Sequence, residues 1–190
     1  MSGAGGVITV VLLEWTVGSV ATAAWTQSWS VVKRGHFRII GWSVAALALV
    51  TLVANGAATS SSAEDPGFQR AMVIMFAVLA VGYLLAQYGR TDLPGVVVGA
   101  TAGVAGTVAL AATGDLIEGW PHYLAALELV AGAALLGAVT NGMLLGHWYL
   151  NQPGLKPNAL ARLTTLGLAA TVVCGGLGLV GAGRLTDAST

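Results

Sequence analysis

Two carboxylates stand inside stretches of chain that are otherwise apolar: Glu14 in VITVVLLEWTVGSVATAAW and Glu128 in YLAALELVAGAALLGAV. A charged group within a bilayer is costly, so it faces protein or water rather than lipid, and such residues mark ion or proton pathways. The chemistry open to them is proton carriage or cation binding; the alternative is a protonated, hydrogen-bonded glutamate that only fixes helix packing. Polar side chains accompany both: Thr26 and Gln27 follow Glu14, and Thr140 and Asn141 follow Glu128. These could line a polar cavity or bond across helices, and the second role is common at about 0.6 kcal/mol per bond.

The two stretches echo one another. Leu13-Glu14, Gly18, Ala24 and Thr26-Gln27 match Leu127-Glu128, Gly132, Ala138 and Thr140-Asn141 at a constant offset of 114 residues (128 − 14). This is the pattern of a parallel internal repeat, or of chance likeness between two apolar helices rich in small residues. At about 100° per residue the face of Glu14 holds Gly18, Ala21, Trp25 and Ser28, and that of Glu128 holds Gly132, Leu135, Val139 and Gly142. Small residues beside each carboxylate mark a helix contact that keeps the glutamates off lipid. Each glutamate is expected about 7–12 Å below one membrane surface at 1.5 Å rise per residue. If the two helices touch, the carboxylates meet.

A second set of candidates is aromatic. His36 falls near Lys33-Arg34, and His147 precedes Trp148 and Tyr149. These could ligate a b-type haem or line a quinone site, or act as interfacial residues at helix ends. Trp29, Trp42, Trp120 and Trp148 suit the headgroup level, whereas Trp15 and Trp25 lie deeper. Cys174 has no cysteine partner and reads as a small buried residue.

The elements that must position these groups are membrane helices. Only 8% of the 190 residues are charged and 56% are hydrophobic, against about 25% charged in a soluble domain; the mean hydropathy is +0.80. The net charge of zero gives no nucleic-acid surface. Spanning helices need about 20 apolar residues, and six segments supply them: Val7–Val31, Ile39–Ala58, Ala71–Tyr88, Pro94–Ala112, Tyr123–Leu150 and Leu160–Ala182. The expected fold is all-α, a single polytopic bundle of about six helices, with the repeat relating helices one-two to five-six.

Basic loop residues set orientation. Lys33, Arg34, Arg38, Arg90, Lys156 and Arg162 fall on one side; Arg70 and Arg184 fall on the other, with Glu64, Asp65, Asp115, Glu118 and Asp187. The first side is expected in the cytoplasm and both termini outside. Abundant Ala, Gly and Val with two lysines fit a bacterial origin.

Gly146-His147-Trp148-Tyr149-Leu150 followed by Pro153-Gly154-Leu155 resembles a segment of small, uncharacterised polytopic bacterial membrane proteins. The resemblance implies a class and no activity. The chain has no Walker loop, dinucleotide fingerprint, His-Glu-x-x-His or nucleophile elbow. Three functions are therefore expected in order: proton or small-solute translocation through Glu14 and Glu128; a redox-associated subunit holding quinone or haem near His36 and His147; and a structural or assembly subunit. Each is compatible with a homo-oligomer or with a larger membrane complex.

Overall fold

In a computed structural model, the described residues are 3–60, 65–117 and 121–187, with the backbone alone for 182–187. They form six helices: α1 (Gly3–Ser28), α2 (Arg34–Thr59), α3 (Gly67–Ala86), α4 (Leu93–Gly114), α5 (His122–Trp148) and α6 (Asn158–Asp187). All six are long and apolar enough to cross a membrane, and no strand occurs among the described residues. The chain is a multi-pass membrane protein. Glu64, Glu118 and Trp120 lie outside the described residues, as do the side chains of Arg184 and Asp187.

The helix limits differ from the sequence expectation mainly between α1 and α2. Helix α1 stops at Ser28, and the chain turns at Ser30, whose φ is +54°. Val32 is thus a buried core residue of the connection rather than part of a helix. The Arg34-Gly35-His36-Phe37-Arg38 run, expected as loop, is the start of α2, and it buries His36 and Phe37. Its basic residues hide nothing apolar from a period-based reading except these two aromatics.

Helices α1 to α4 form a closed ring in which each packs on the next and α4 returns to α1; α5 lies along α1 and α4, and α6 is held chiefly by α5. The core runs through Leu13, Val17, Phe37, Ile40, Phe76 and Tyr83. Two amide pairs lock the ring at opposite ends. Gln27 Nε2 donates to Gln87 Oε1 (2.9 Å) and Gln87 Nε2 to Gln27 Oε1 (3.3 Å), joining α1 to α3. Asn55 Nδ2 donates to Gln69 Oε1 (3.1 Å), and Gln69 Nε2 donates to Asn55 Oδ1 (2.8 Å) and to Thr113 Oγ1 (3.0 Å), joining α2, α3 and α4. With no water in the hydrocarbon, each amide must find its partner inside the protein.

Outside the ring, apolar side chains face lipid. Helix α6 is the extreme case, exposing Leu168, Val172, Val173, Leu179 and Val180.

Candidate functional site

Helices α1 and α5 run in the same direction and form the most extensive helix pair in the molecule. Glycine makes the approach possible. A Cβ on Gly18 would strike the carbonyl of Ala133, and one on Gly137 would strike the carbonyl of Gly18. Deeper along the pair, Asn141 Nδ2 donates to Thr22 Oγ1 (2.6 Å), to Ser19 O (3.1 Å) and to its own Gly137 O (3.0 Å). On the flank, Trp15 Nε1 donates to Thr140 Oγ1 at 2.8 Å.

The glutamates lie at the near end of this pair. The Glu14 carboxylate sits over Gly132, where an added Cβ would come 2.6 Å from its Oε1. Gly132 is one turn along α5 from Glu128, so i,i+4 neighbours share that face, and the Glu14 carboxylate packs on the side of α5 that carries Glu128. Cys174 of α6, expected as a buried residue, is only partly buried. Each carboxylate is half-buried, and neither has a hydrogen-bond or ion-pair partner among the described residues. The condition of the sequence expectation, contact between the first and fifth helices, holds, and the Glu14 carboxylate lies one turn along α5 from Glu128.

The faces drawn around them need correction. On α5 the buried residues are Ala125, Leu129, Ala133, Gly137, Asn141 and Leu145, an i+4 row, with Ala131 and Ala138 beside it. Val139 of the expected face is 48% exposed, because it lies off that row. On α1 only Gly18 of the expected face touches α5; Ala21 and Trp25 turn instead to a cavity of about 310 Å³ between α1, α4, α5 and α6. Val17 and Val130 line its end nearest the glutamates, beside Gly18 and Ala133, and Thr22 and Thr107 are its threonines. One turn, about 6 Å, separates Glu14 from Gly18 at the cavity wall. On the opposite side of α1, Trp15, Ser19, Ser43 and Thr140 line a second cavity of about 270 Å³, and the Ser19 hydroxyl is buried without a partner.

The remaining candidates separate. Thr26 returns its hydroxyl to Thr22 O (2.7 Å), and Gln27 belongs to the amide lock, near the Arg34–Asp92 ion pair (2.7 Å). The two Thr-amide pairs therefore serve different ends: Gln27 binds α3, and Asn141 binds α1. The two helices share a direction and not an environment. His36 is buried beside Trp148, ring centroids 5.7 Å apart, with Nε2 unpartnered; Tyr149 OH bonds Lys156 O. His147 is exposed and turns back toward Met143 O. The two imidazoles do not face one site, and neither lines the cavities just described. No group of three metal-ligating side chains occurs among the described residues.

Sequence reasoning did not single out Ser19, Thr22, Gln69 or Gln152 as functional. Gln69 and Gln87 lie near opposite ends of α3, and two amides at the ends of one apolar helix are the signal that could have found the locks. Ser19 and Thr22 carried no such signal, since their role is fixed by the α5 register.

The described residues define a multi-pass membrane protein in which α1 and α5 pack in parallel, with the Glu14 carboxylate against Gly132. Comparison with family models, with curated proteins and with solved structures gave no match at all.

Proposed function

We propose that the protein is a translocation or relay component of a bacterial cytoplasmic membrane that takes up a proton or small cation at Glu14 and Glu128. One observation carries this reading. Each described intramembrane amide donates a hydrogen bond to a neighbouring helix, whereas Glu14, packed against Gly132 one turn from Glu128, and Glu128 itself have no such partner among the described residues. Two carboxylates in close reach with nothing to neutralise them hold a proton or a cation between them. The adjoining cavity leads from this pair along α1 toward Trp25. The excess of basic residues at the other end puts the glutamate end and the termini outside. The shortage of loop between helices fits a subunit of a larger complex or an oligomer rather than a free-standing enzyme. The test is ion uptake by proteoliposomes: Glu128→Gln abolishes uptake while the purified variant keeps its helicity and melting temperature. Unchanged uptake in that variant removes the reading.

A further inference from the structure

The cation-rich end of the bundle holds a different kind of site. A cavity of about 380 Å³ opens between the α1–α2 connection and the start of α6. Its walls carry two cations, Lys156 and Arg162, with Trp29, Gln152 and Asn158. Its frame is fixed by hydrogen bonds. Gln152 Oε1 accepts from Lys33 N and Trp148 Nε1, both at 3.0 Å, and Gln152 Nε2 donates to Val31 O at 3.0 Å. Tyr149 OH donates to Lys156 O at 2.7 Å. The two facing connections turn at left-handed residues, Ser30 (φ +54°) and Gly154 (φ +85°).

Within this frame the cations are uncommitted. The Arg162 guanidinium lies over the Trp29 ring, 5.0 Å from its centroid, and neither Arg162 nor Lys156 has an acidic partner among the described residues. The described carboxylate at this end, Asp92, is already held by Arg34 at 2.7 Å. Asn158 and Arg162 also border a furrow of about 580 Å³ that runs along α6 past Thr165 and Ala169 to Trp25. Trp25 and Leu166 border in turn the 310 Å³ cavity against α5. A basic pocket at headgroup level thus continues into an apolar channel that descends into the membrane.

We infer that this is a binding site for an anionic phospholipid. Its phosphodiester lies between Lys156 and Arg162, and one acyl chain lies in the furrow over Trp25 and Leu166. Basic pockets between helices on the cytoplasmic side recognise acidic headgroups, and Trp29 and Trp148 stand at the level where such headgroups meet hydrocarbon. A zwitterionic lipid offers the same chain without net charge, and a free phosphate offers the charge without the chain. The site does not involve Glu14 or Glu128, although its furrow meets the cavity beside them at Trp25 and Leu166.

The test is native mass spectrometry of the full chain in detergent, titrated with phosphatidylglycerol or with phosphatidylcholine of matched chains. Phosphatidylglycerol is expected to be retained preferentially, and Arg162→Gln and Lys156→Gln each to weaken it by about fivefold, the worth of one cation near an acidic lipid. Arg90→Gln, which removes a cation from the same end outside the pocket, leaves retention unchanged. Ala169→Phe, which fills the furrow, weakens the long-chain lipid and spares a short-chain phosphatidylglycerol. Equal retention of both lipids, equal loss in Arg162→Gln and Arg90→Gln, or displacement by inorganic phosphate with no dependence on chain length would overturn the assignment.

Discussion

The α1–α4 ring and the α1–α5 contact handle buried polarity in opposite ways. In the ring, Gln27 meets Gln87 and Asn55 meets Gln69, each amide answering the other. In the α1–α5 contact, Asn141 is bonded on its donor side, yet Glu14 and Glu128 have no hydrogen-bond or ion-pair partner among the described residues. The first arrangement fixes helices; the second leaves charge available. Position explains the difference. The ring amides Gln27, Gln87, Asn55 and Gln69 are buried within the α1–α4 ring, whereas the glutamates are only half-buried on α1 and α5.

The contrast can be broken or sharpened by substitution. The largest effect is expected from Gly18→Leu, whose side chain has no space against the Ala133 backbone. Overpacking costs about 1–3 kcal/mol and more when backbone must move, so the folded fraction recovered in detergent should collapse; a normal yield of monodisperse protein would mean that α1 and α5 are not apposed. Asn141→Leu strips the bonds to Ser19 and Thr22 and should cost about 1–2 kcal/mol of stability in a reversible unfolding assay. A double-mutant cycle of Gln27→Leu and Gln87→Leu should give a coupling of about 0.6 kcal/mol, the ordinary worth of an interhelical bond; zero coupling would dissolve the lock. The smallest stability effect belongs to Glu14→Gln, within about 0.5 kcal/mol, because no bond is lost. A loss as large as that of Asn141→Leu would place Glu14 among the packing residues and erase the distinction.

Much of the fold is legible in the sequence. Six apolar runs give six helices, and the Glu14-Gly18 and Glu128-Gly132 spacings mark contact faces without saying that the two helices face each other, as they do. The polar partners are not legible, because the register between helices is set by three-dimensional packing. Nothing local in the chain says that Asn141 reaches Thr22, or that Gln27 reaches Gln87 across 60 residues. The His36 and His147 readings part for a similar reason. Both sit near basic and aromatic residues in sequence, but α2 begins early enough to bury His36, while α5 turns His147 outward. The α5 face differs from the expected stripe because burial follows an i+4 row from Ala125 to Leu145, with Ala131 and Ala138 beside it, and leaves Val139 outside.

The central claim is that Glu14 and Glu128 share an exchangeable proton or cation rather than a packing role. Infrared difference spectroscopy across a pH titration, on the protein in lipid vesicles, reads protonated carboxyl groups directly. If the pair shares a proton, a carboxyl band titrates in the wild type, and both Glu14→Gln and Glu128→Gln shift or remove it. A band untouched by either substitution, or changed by only one of them, would contradict the shared site.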